Sequence, residues 1–423
     1  MAKPEKIRVS SAALHTLVES MFVKLGACAA DARTIAEVLV WANLRGVDSH
    51  GVSRIPRYVE LFESGEAKVR PNVVVAQPRT AIITIEADGA PGPVAMSRAV
   101  REAIATARKT GIAWAAVRGT VHTGAIGYYT SQVAAAGMAG IGIVAGVPNM
   151  AYTGARGAAV ATSPLSIAVP SSSYGEVVLD MATAVIALGR IAQLRASGTP
   201  LPEGAALTAK GEPTTDPNLA EIPLPMAGAK GAGLSLMIEL LTGVLVGNPV
   251  VSRFHSGSED GKRHRQNGSI IAIDVEAFMP LAEFKSSVDS TLGTLKGLSR
   301  AVESVPILFP GERGARVYRE REAGGIPIAV NAWQKLGKDA AKLGVLGQSE
   351  AEVLRSAARL YHDLTQILRL CVIDSFNPET AGEDLLQVMA RAGDAPDFSA
   401  LQARVKETQA EVRRVFQAVV GGS

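Results

Sequence analysis

Residues 45–58 read RGVDSHGVSRIPRY, with three arginines, a histidine, a serine, an aspartate and a tyrosine in fourteen positions. His50, Arg54 and Tyr58 are spaced i, i+4, i+8, which on an unbroken helix would drift by roughly 40° per step. Pro56 interrupts that picture, because proline is comfortable only in a first helical turn. The helix therefore starts near Ser53, and His50 lies in the preceding turn beside Gly51. An imidazole, a guanidinium and a phenol in one place suit a small anionic substrate whose neighbouring carbon gains or loses hydride. The guanidinium of Arg54 can grip a carboxylate in a bidentate fork. His50 can give or take the accompanying proton, since its pKa lies near working pH, and Ser49 can orient it. The competing readings are surface arginines after a helix end with His50 as a cap, and chelation through Asp48 and His50, which lacks further clustered ligands.

Other loops carry weaker versions of the same signal. His122, in RGTVHTGAIGYY (118–129), follows a strand and precedes a helix among glycines, a favoured site position in α/β sheets and also an ordinary surface position. Asp180 ends the apolar run EVVLDM, where a carboxylate can cap the next helix or orient an imidazole or a ribose. Lys230, in PMAGAKGAGLSLM, sits just before a helix, where backbone N–H groups and an ammonium could receive a pyrophosphate. PGERG (310–314) opens a helix around Tyr318 and is equally readable as a plain turn. The G-x-G-x-x-G dinucleotide fingerprint is absent; Gly140, Gly142 and Gly146 come nearest and sit inside a strand pattern.

The elements that must position these residues fall in three blocks. Residues 1–75 are helical: Leu14, Leu17, Val18, Met21, Phe22 and Leu25 form one amphipathic helix capped by Ser10 or Ser11, and Ile35, Val38, Leu39 and Ala42 a second that stops at Gly46. Residues 76–344 alternate strands and helices: AIITIE, a helix over 96–109, IAWAAV, a helix ending near Gly137, IGIVAGV, SIAVP, VVLDM, a helix from about 184 to 196, a long helix after Gly231, SIIAIDV and a helix over about 282–297. This alternation predicts an α/β body with a mostly covered sheet. Residues 345–423 carry two coiled-coil-period seams, Val353 to Cys371 and Phe398 to Val419, separated by a helix around 384–392. They read as a helical bundle, an oligomerisation module or a cap.

Composition narrows the class further. The 423 residues carry 43 basic and 40 acidic side chains, so no broad basic face for nucleic acid is expected. Two cysteines far apart support neither a disulfide framework nor a structural zinc, and no metal site is expected. No segment reads as a secretory signal, and Leu234 to Val246, the most apolar helix-like run, is too short to span a bilayer. The expected protein is cytoplasmic, with no membrane partner.

Taken in order, the motifs resemble the type-2 malate/L-lactate dehydrogenase family, NAD(P)-dependent oxidoreductases with a non-Rossmann fold. RGVDSHGVSRIPRY is similar to that family's N-terminal signature, and HTGAIGYY, TSPLSIAVP, VLDMAT, KGAGLSLMIELLTGVLVG, IIAIDVEAF and LFPGE continue the likeness over residues 8–343. The resemblance implies that His50 is the proton donor and acceptor with Ser49 beside it. Arg54, Tyr58 and His122 would hold substrate, and in some members the residue matching His122 takes the acid/base role. Asp180 would belong to the active site and cofactor region, and Ser163, Pro164, Met181, Ala182, Lys230, Gly231, Gly311, Glu312, Arg313 and His122 to the NAD or NADP contacts. A homodimer or higher homo-oligomer is implied. Val121, His122, Thr123 and Gly124 replace the family's common N-H-F-G, Ala161 to Pro164 replace G-T-N-P, and Ser269 stands where many relatives have a histidine. The tail after 345 has no counterpart. The resulting expectation is hydride transfer at C2 of a small 2-hydroxy or 2-oxo acid. The alternatives are cyclic 2-imino acid reduction and a non-catalytic small-acid-binding oligomer.

Overall fold

A computed structural model of the chain describes residues 6–372 and 376–420. Residues 1–5, part of the segment read for a signal, and the side chain of Val419 lie outside that description. The chain forms two compact units, one ending at Ile328 and one starting at Ala329.

The first unit opens with strand β1 (Lys6–Val9) and the helical hairpin α1 (Ser11–Lys24) and α2 (Ala29–Leu44). Ser10 caps α1 by accepting from the Ala13 N–H at 3.3 Å, and Leu14, Leu17, Val18, Met21 and Phe22 form its buried face. Two 3₁₀ turns, Asp48–His50 and Val52–Arg54, lead into α3 (Ile55–Glu63), with Pro56 in its first turn as the sequence requires. There follow β2 (Val74–Arg79), β3 (Ile82–Glu86), α4 (Gly92–Thr110), β4 (Ile112–Thr120), α5 (Gly127–Ala135) and β5 (Met138–Gly146). The short pair β6 (Met150–Ala151) and β7 (Ala158–Val160) precedes β8 (Leu165–Pro170), β9 (Glu176–Met181) and α6 (Leu188–Ser197). Helix α6 starts later than the sequence pattern suggests. Extended backbone bonds from Thr183 N to Thr162 O (3.0 Å) and from Val185 N to Leu224 O (2.9 Å) hold the approach open.

A small sheet, β10 (Ala206–Leu207), β11 (Pro213–Thr214) and β12 (Ile222–Pro223), leads to α7 (Ala229–Glu239), which runs into a π turn at Leu240–Val244. The short helices α8 (Val251–His255) and α9 (Glu259–Lys262), strand β13 (Gln266–Asp274), α10 (Leu281–Lys296) and α11 (Glu312–Gly324) complete the body. Strand β14 (Ile326–Ala329) returns to pair with β1.

The main sheet has seven strands in the order β2-β3-β4-β13-β5-β8-β9. Only β3 and β4 pair in parallel; the other neighbours are antiparallel, which sets this sheet apart from a doubly wound parallel one. One face is sealed by α4 and α5, whose Met96, Ala99, Ala103 and Tyr129 pack on Ile85, Ala115, Val117 and Ile270. The opposite face departs from the covered sheet expected. Cross-strand register lines up Ile82, Trp114, Ile271, Ile141, Ile167 and Leu179 there, and Ile82 and Ile167 remain 39% and 38% exposed. The reason is local: the contact of α7 on that face centres on Ile143, Ala145 and Ile238, beside the row rather than over it.

The second unit consists of α12 (Val330–Lys342), α13 (Gln348–Cys371), α14 (Glu383–Ala392) and α15 (Phe398–Val420). Its two seams meet each other: Leu360 and Leu364 bury against Leu401 and Met389, with Ile367, Phe398 and Val405 around them. The coiled-coil spacing is thus used inside a small bundle. No described helix is long and apolar enough to cross a membrane.

Candidate active site

The 45–58 segment is braced from below by a side chain that periodicity hides. Asn43, 3% exposed near the end of α2, accepts from the Val52 N–H at 2.8 Å and donates to Asp48 Oδ1 at 2.8 Å. Gly51 makes this possible, because a Cβ there would stand 2.1 Å from Asn43 Oδ1. Asp48 also receives a bidentate pair from Arg321 of α11 (2.6 and 3.1 Å), and Arg321 donates to Asn43 O as well. Asp48 is thereby committed to holding the turn.

On this base the reactive groups come together. Ser49 Oγ lies 3.0 Å from His50 Nδ1, and Arg54 Nε donates to Ser49 O at 2.6 Å. The terminal nitrogens of Arg54 and Nε2 of His50 make no hydrogen bond to any described residue. Tyr58, 1% exposed, donates to His122 O at 3.0 Å and lies 3.2 Å from His122 Nδ1, so it reaches the site through that histidine. His122 Nδ1 accepts from the Gly124 N–H at 3.3 Å, which leaves the ring proton on Nε2 when the imidazole is neutral.

His50 and His122 stack at 5.8 Å between ring centroids with planes 22° apart, and His264 continues the column 6.5 Å from His122. The residues before β13 arrive there because β13 runs antiparallel to β4 with Gln266 opposite Thr120, and Gln266 Oε1 accepts from the Thr123 N–H at 3.0 Å. Burial, helped by Arg54, brings His50 down to about 4. His122 is pushed well below the ordinary histidine range by burial, then by His50, Arg54, His264 and Arg57. His264 falls to about 4 through burial and Arg57, against the opposing carboxylate of Glu66. Three neutral imidazoles thus face a cationic neighbourhood.

Asp180 stands at the end of β9 and makes its hydrogen bond to the Gly127 N–H at the start of α5 (3.0 Å), not to His50 or His122. Burial raises its carboxyl to about 6, against the Gly127 N–H and the Arg45 guanidinium, which pull it down. Arg45 packs over Trp41, with its guanidinium carbon 5.4 Å from the ring centroid, and donates to Gly311 O at 3.3 Å, tying the opening segment to the 310–314 loop. Gly311, at φ +86°, lies against β9: a Cβ there would be 2.8 Å from Val178 O. Glu312 is occupied by an ion pair with Lys296 and by the Phe309 N–H, and Arg313 is exposed.

A second group gathers at the far side of β9. Ser163, 1% exposed, meets Ser235 Oγ at 3.1 Å, and Pro164 O accepts from Val144 N. Gly231 lets α7 approach closely, since a Cβ there would be 2.4 Å from Met226 O and 2.7 Å from Thr183 O. The first turn of α7 is therefore seated beside the Met181–Ala182 strand end. The backbone N–H groups of Lys230 and Gly231 are bonded to Ala227 O and Met226 O, so at these two residues the ammonium of Lys230, and not the main chain, is left for a ligand. Lys230 is exposed and has no ion pair among the described residues. Sequence reading missed Asn43, Arg321, Arg57 and His264. The buried asparagine in an apolar helix was a usable signal; His264, inside KRHRQN, looked like ordinary loop charge.

A mixed sheet outside the doubly wound class, with an imidazole–guanidinium cluster at its strand ends, fits an oxidoreductase of the non-Rossmann type. The family of malate/L-lactate dehydrogenases matches residues 9–337. Malate dehydrogenase of Pyrococcus horikoshii is 34% identical over 351 residues, 81% of this chain and 97% of that one. Ureidoglycolate dehydrogenase (NAD(+)) of Escherichia coli K12 is 32% identical over 335 residues, 79% and 96%. The solved structure of delta1-piperideine-2-carboxylate reductase from Pseudomonas syringae superposes with TM-score 0.69 at 28% identity, over 79% of this chain and all of that one. The chain belongs to the malate/L-lactate dehydrogenase family and is a dehydrogenase, for which the family implies a nicotinamide cofactor.

Proposed function

We propose that this enzyme exchanges hydride between a nicotinamide dinucleotide and C2 of a small 2-hydroxy or 2-oxo carboxylate, with His50 as proton donor and acceptor and Arg54 as the carboxylate clamp. The carrying observation is the half-buried guanidinium of Arg54, pinned through Nε and without a partner at its terminal nitrogens, beside an imidazole with a similarly unpartnered Nε2. When bound, the nicotinamide supplies or accepts the hydride. His50, neutral with its pKa near 4, can take the proton of a C2 hydroxyl. In the reverse direction a carboxylate on Arg54 offsets the smaller, coulombic part of the depression that burial mainly causes, and so moves the His50 pKa upward. His122 donates from Nε2 to a substrate oxygen, and Tyr58 positions His122.

The residues present fit a dinucleotide. Lys230 and Arg313 are exposed cations suited to its phosphates, and Ser163, Pro164, Asp180, Met181, Ala182, Gly231 and Gly311 would hold the rest of it. Glu312 supports the loop through Lys296. The apolar row Ile82–Leu179 supports self-association as a homodimer or higher homo-oligomer. Cys28 and Cys371, both exposed and unpaired, suit a reducing cytoplasm.

Loss of NADH or NADPH absorbance with a panel of 2-oxo acids tests the reading and measures the choice of nucleotide. Turnover of none of them with either nucleotide would refute it. The depressed pKa of His50 also favours a second reading, reduction of a cyclic 2-imino acid, because a protonated imine needs no proton donor. His50→Ala separates the two: keto-acid reduction is lost under the first, while imine reduction persists under the second.

A further inference from the structure

The histidine column reaches beyond the groups that the proposed chemistry uses. One carboxylate and one proton occupy Arg54 and His50, and one substrate oxygen occupies His122. His264 has no part in that scheme, yet its Nε2 is enclosed and without a hydrogen-bond partner, while its backbone N–H is fixed on Glu66 Oε2 at 2.6 Å. A buried polar atom left unpaired is unfavourable, and a ligand acceptor meeting it would supply the hydrogen bond it lacks. Arg54, Arg57, Arg265 and Glu66 are the charged groups acting on His264, so its surroundings carry an excess of positive charge. Arg57 follows Arg54 by three residues, and its pair with Glu60 at 3.1 Å is exposed (44% and 60%), which makes it a weak and exchangeable partner. Positive character therefore exists at both ends of the column, whereas a monoanionic substrate satisfies one.

We propose that His264 and Arg57 determine specificity by engaging a second anionic group at the far end of the substrate, so that the site selects dianionic 2-oxo and 2-hydroxy acids over monoanionic ones. The assignment rests on the hydride-transfer reading above. It makes His264 and Arg57 substrate contacts rather than supports of the fold, and it predicts an effect that depends on substrate charge.

The test uses the full-length chain with oxaloacetate as the dianionic probe and pyruvate as the monoanionic one, each with NADH and NADPH. The wild type is expected to favour oxaloacetate by about tenfold or more in kcat/KM. His264→Leu and Arg57→Leu should each cut that preference by about tenfold, through the KM for oxaloacetate, with pyruvate changed by less than about threefold. His264→Gln, which keeps an N–H donor, should recover most of the loss. A melting temperature equal to that of the wild type shows that a variant is folded, so that its substrate ratio reads specificity rather than loss of structure. Equal losses on both substrates, or a wild type that favours pyruvate, would overturn this assignment and leave hydride transfer standing. Absence of turnover with any 2-oxo acid in the panel would overturn both.

Discussion

The histidine column and the loops around β9 are both lined by residues suited to anions, and they are built in opposite ways. At the column, each support is closed: Asn43 and Arg321 clamp the turn, Tyr58 and Gly124 fix His122, and burial keeps the imidazoles neutral. At the loops, Lys230 and Arg313 project from helix first turns into solvent, and the backbone beneath Lys230 is satisfied internally. The difference teaches where precision is needed. Proton transfer tolerates little displacement, while binding phosphates by exposed ammonium and guanidinium groups tolerates much.

Substitutions at the two places should break along that line. The largest effect is expected at His50: alanine there should lower kcat for 2-oxo acid reduction by about 10³-fold with little change in KM, as befits loss of a proton-transfer group. Arg54→Lys keeps the charge and loses the fork, so kcat/KM should fall by about a hundredfold, read by steady-state kinetics across the oxo-acid panel. Gly51→Ala should cost about 2–4 kcal/mol by denaturant titration, since the new methyl displaces Asn43 and with it the turn. A wild-type midpoint in that variant would mean that the brace is soft. Lys230→Ala should raise the nucleotide KM by about tenfold and leave the melting temperature unchanged; a stability loss there would erase the contrast between the regions.

The smallest effect is a pH dependence of stability. His50 and His264 sit near 4 in the folded chain against 6.5 for an ordinary histidine, so the unfolded chain binds more protons between those values. Their contribution is complete above about pH 6.5 and is lost as pH falls towards 4. Denaturation midpoints at pH 7.5 and pH 5 measure it, and His264→Gln should flatten the difference. An unchanged slope in that variant would show that His264 titrates normally.

Much of this was legible in residue order. The pattern of α1 and α2, the stop at Gly46 and the constraint of Pro56 fix a turn that holds His50 outside the helix carrying Tyr58, because helical period and proline geometry are local properties. Ser49, His50 and Arg54 are neighbours in the chain, so their convergence needed little else. The seams of the last eighty residues were equally plain, but spacing alone could not say whether they face each other or a second chain. Only tertiary structure decided that, together with three features of the site: β13 inserted between β4 and β5 delivers His264 to His122, α11 sends Arg321 under Asp48, and Arg45 crosses to the Gly311 loop. Each joins residues more than a hundred positions apart, where local periodicity carries no information and strand order, register and burial set both the contact and the pKa.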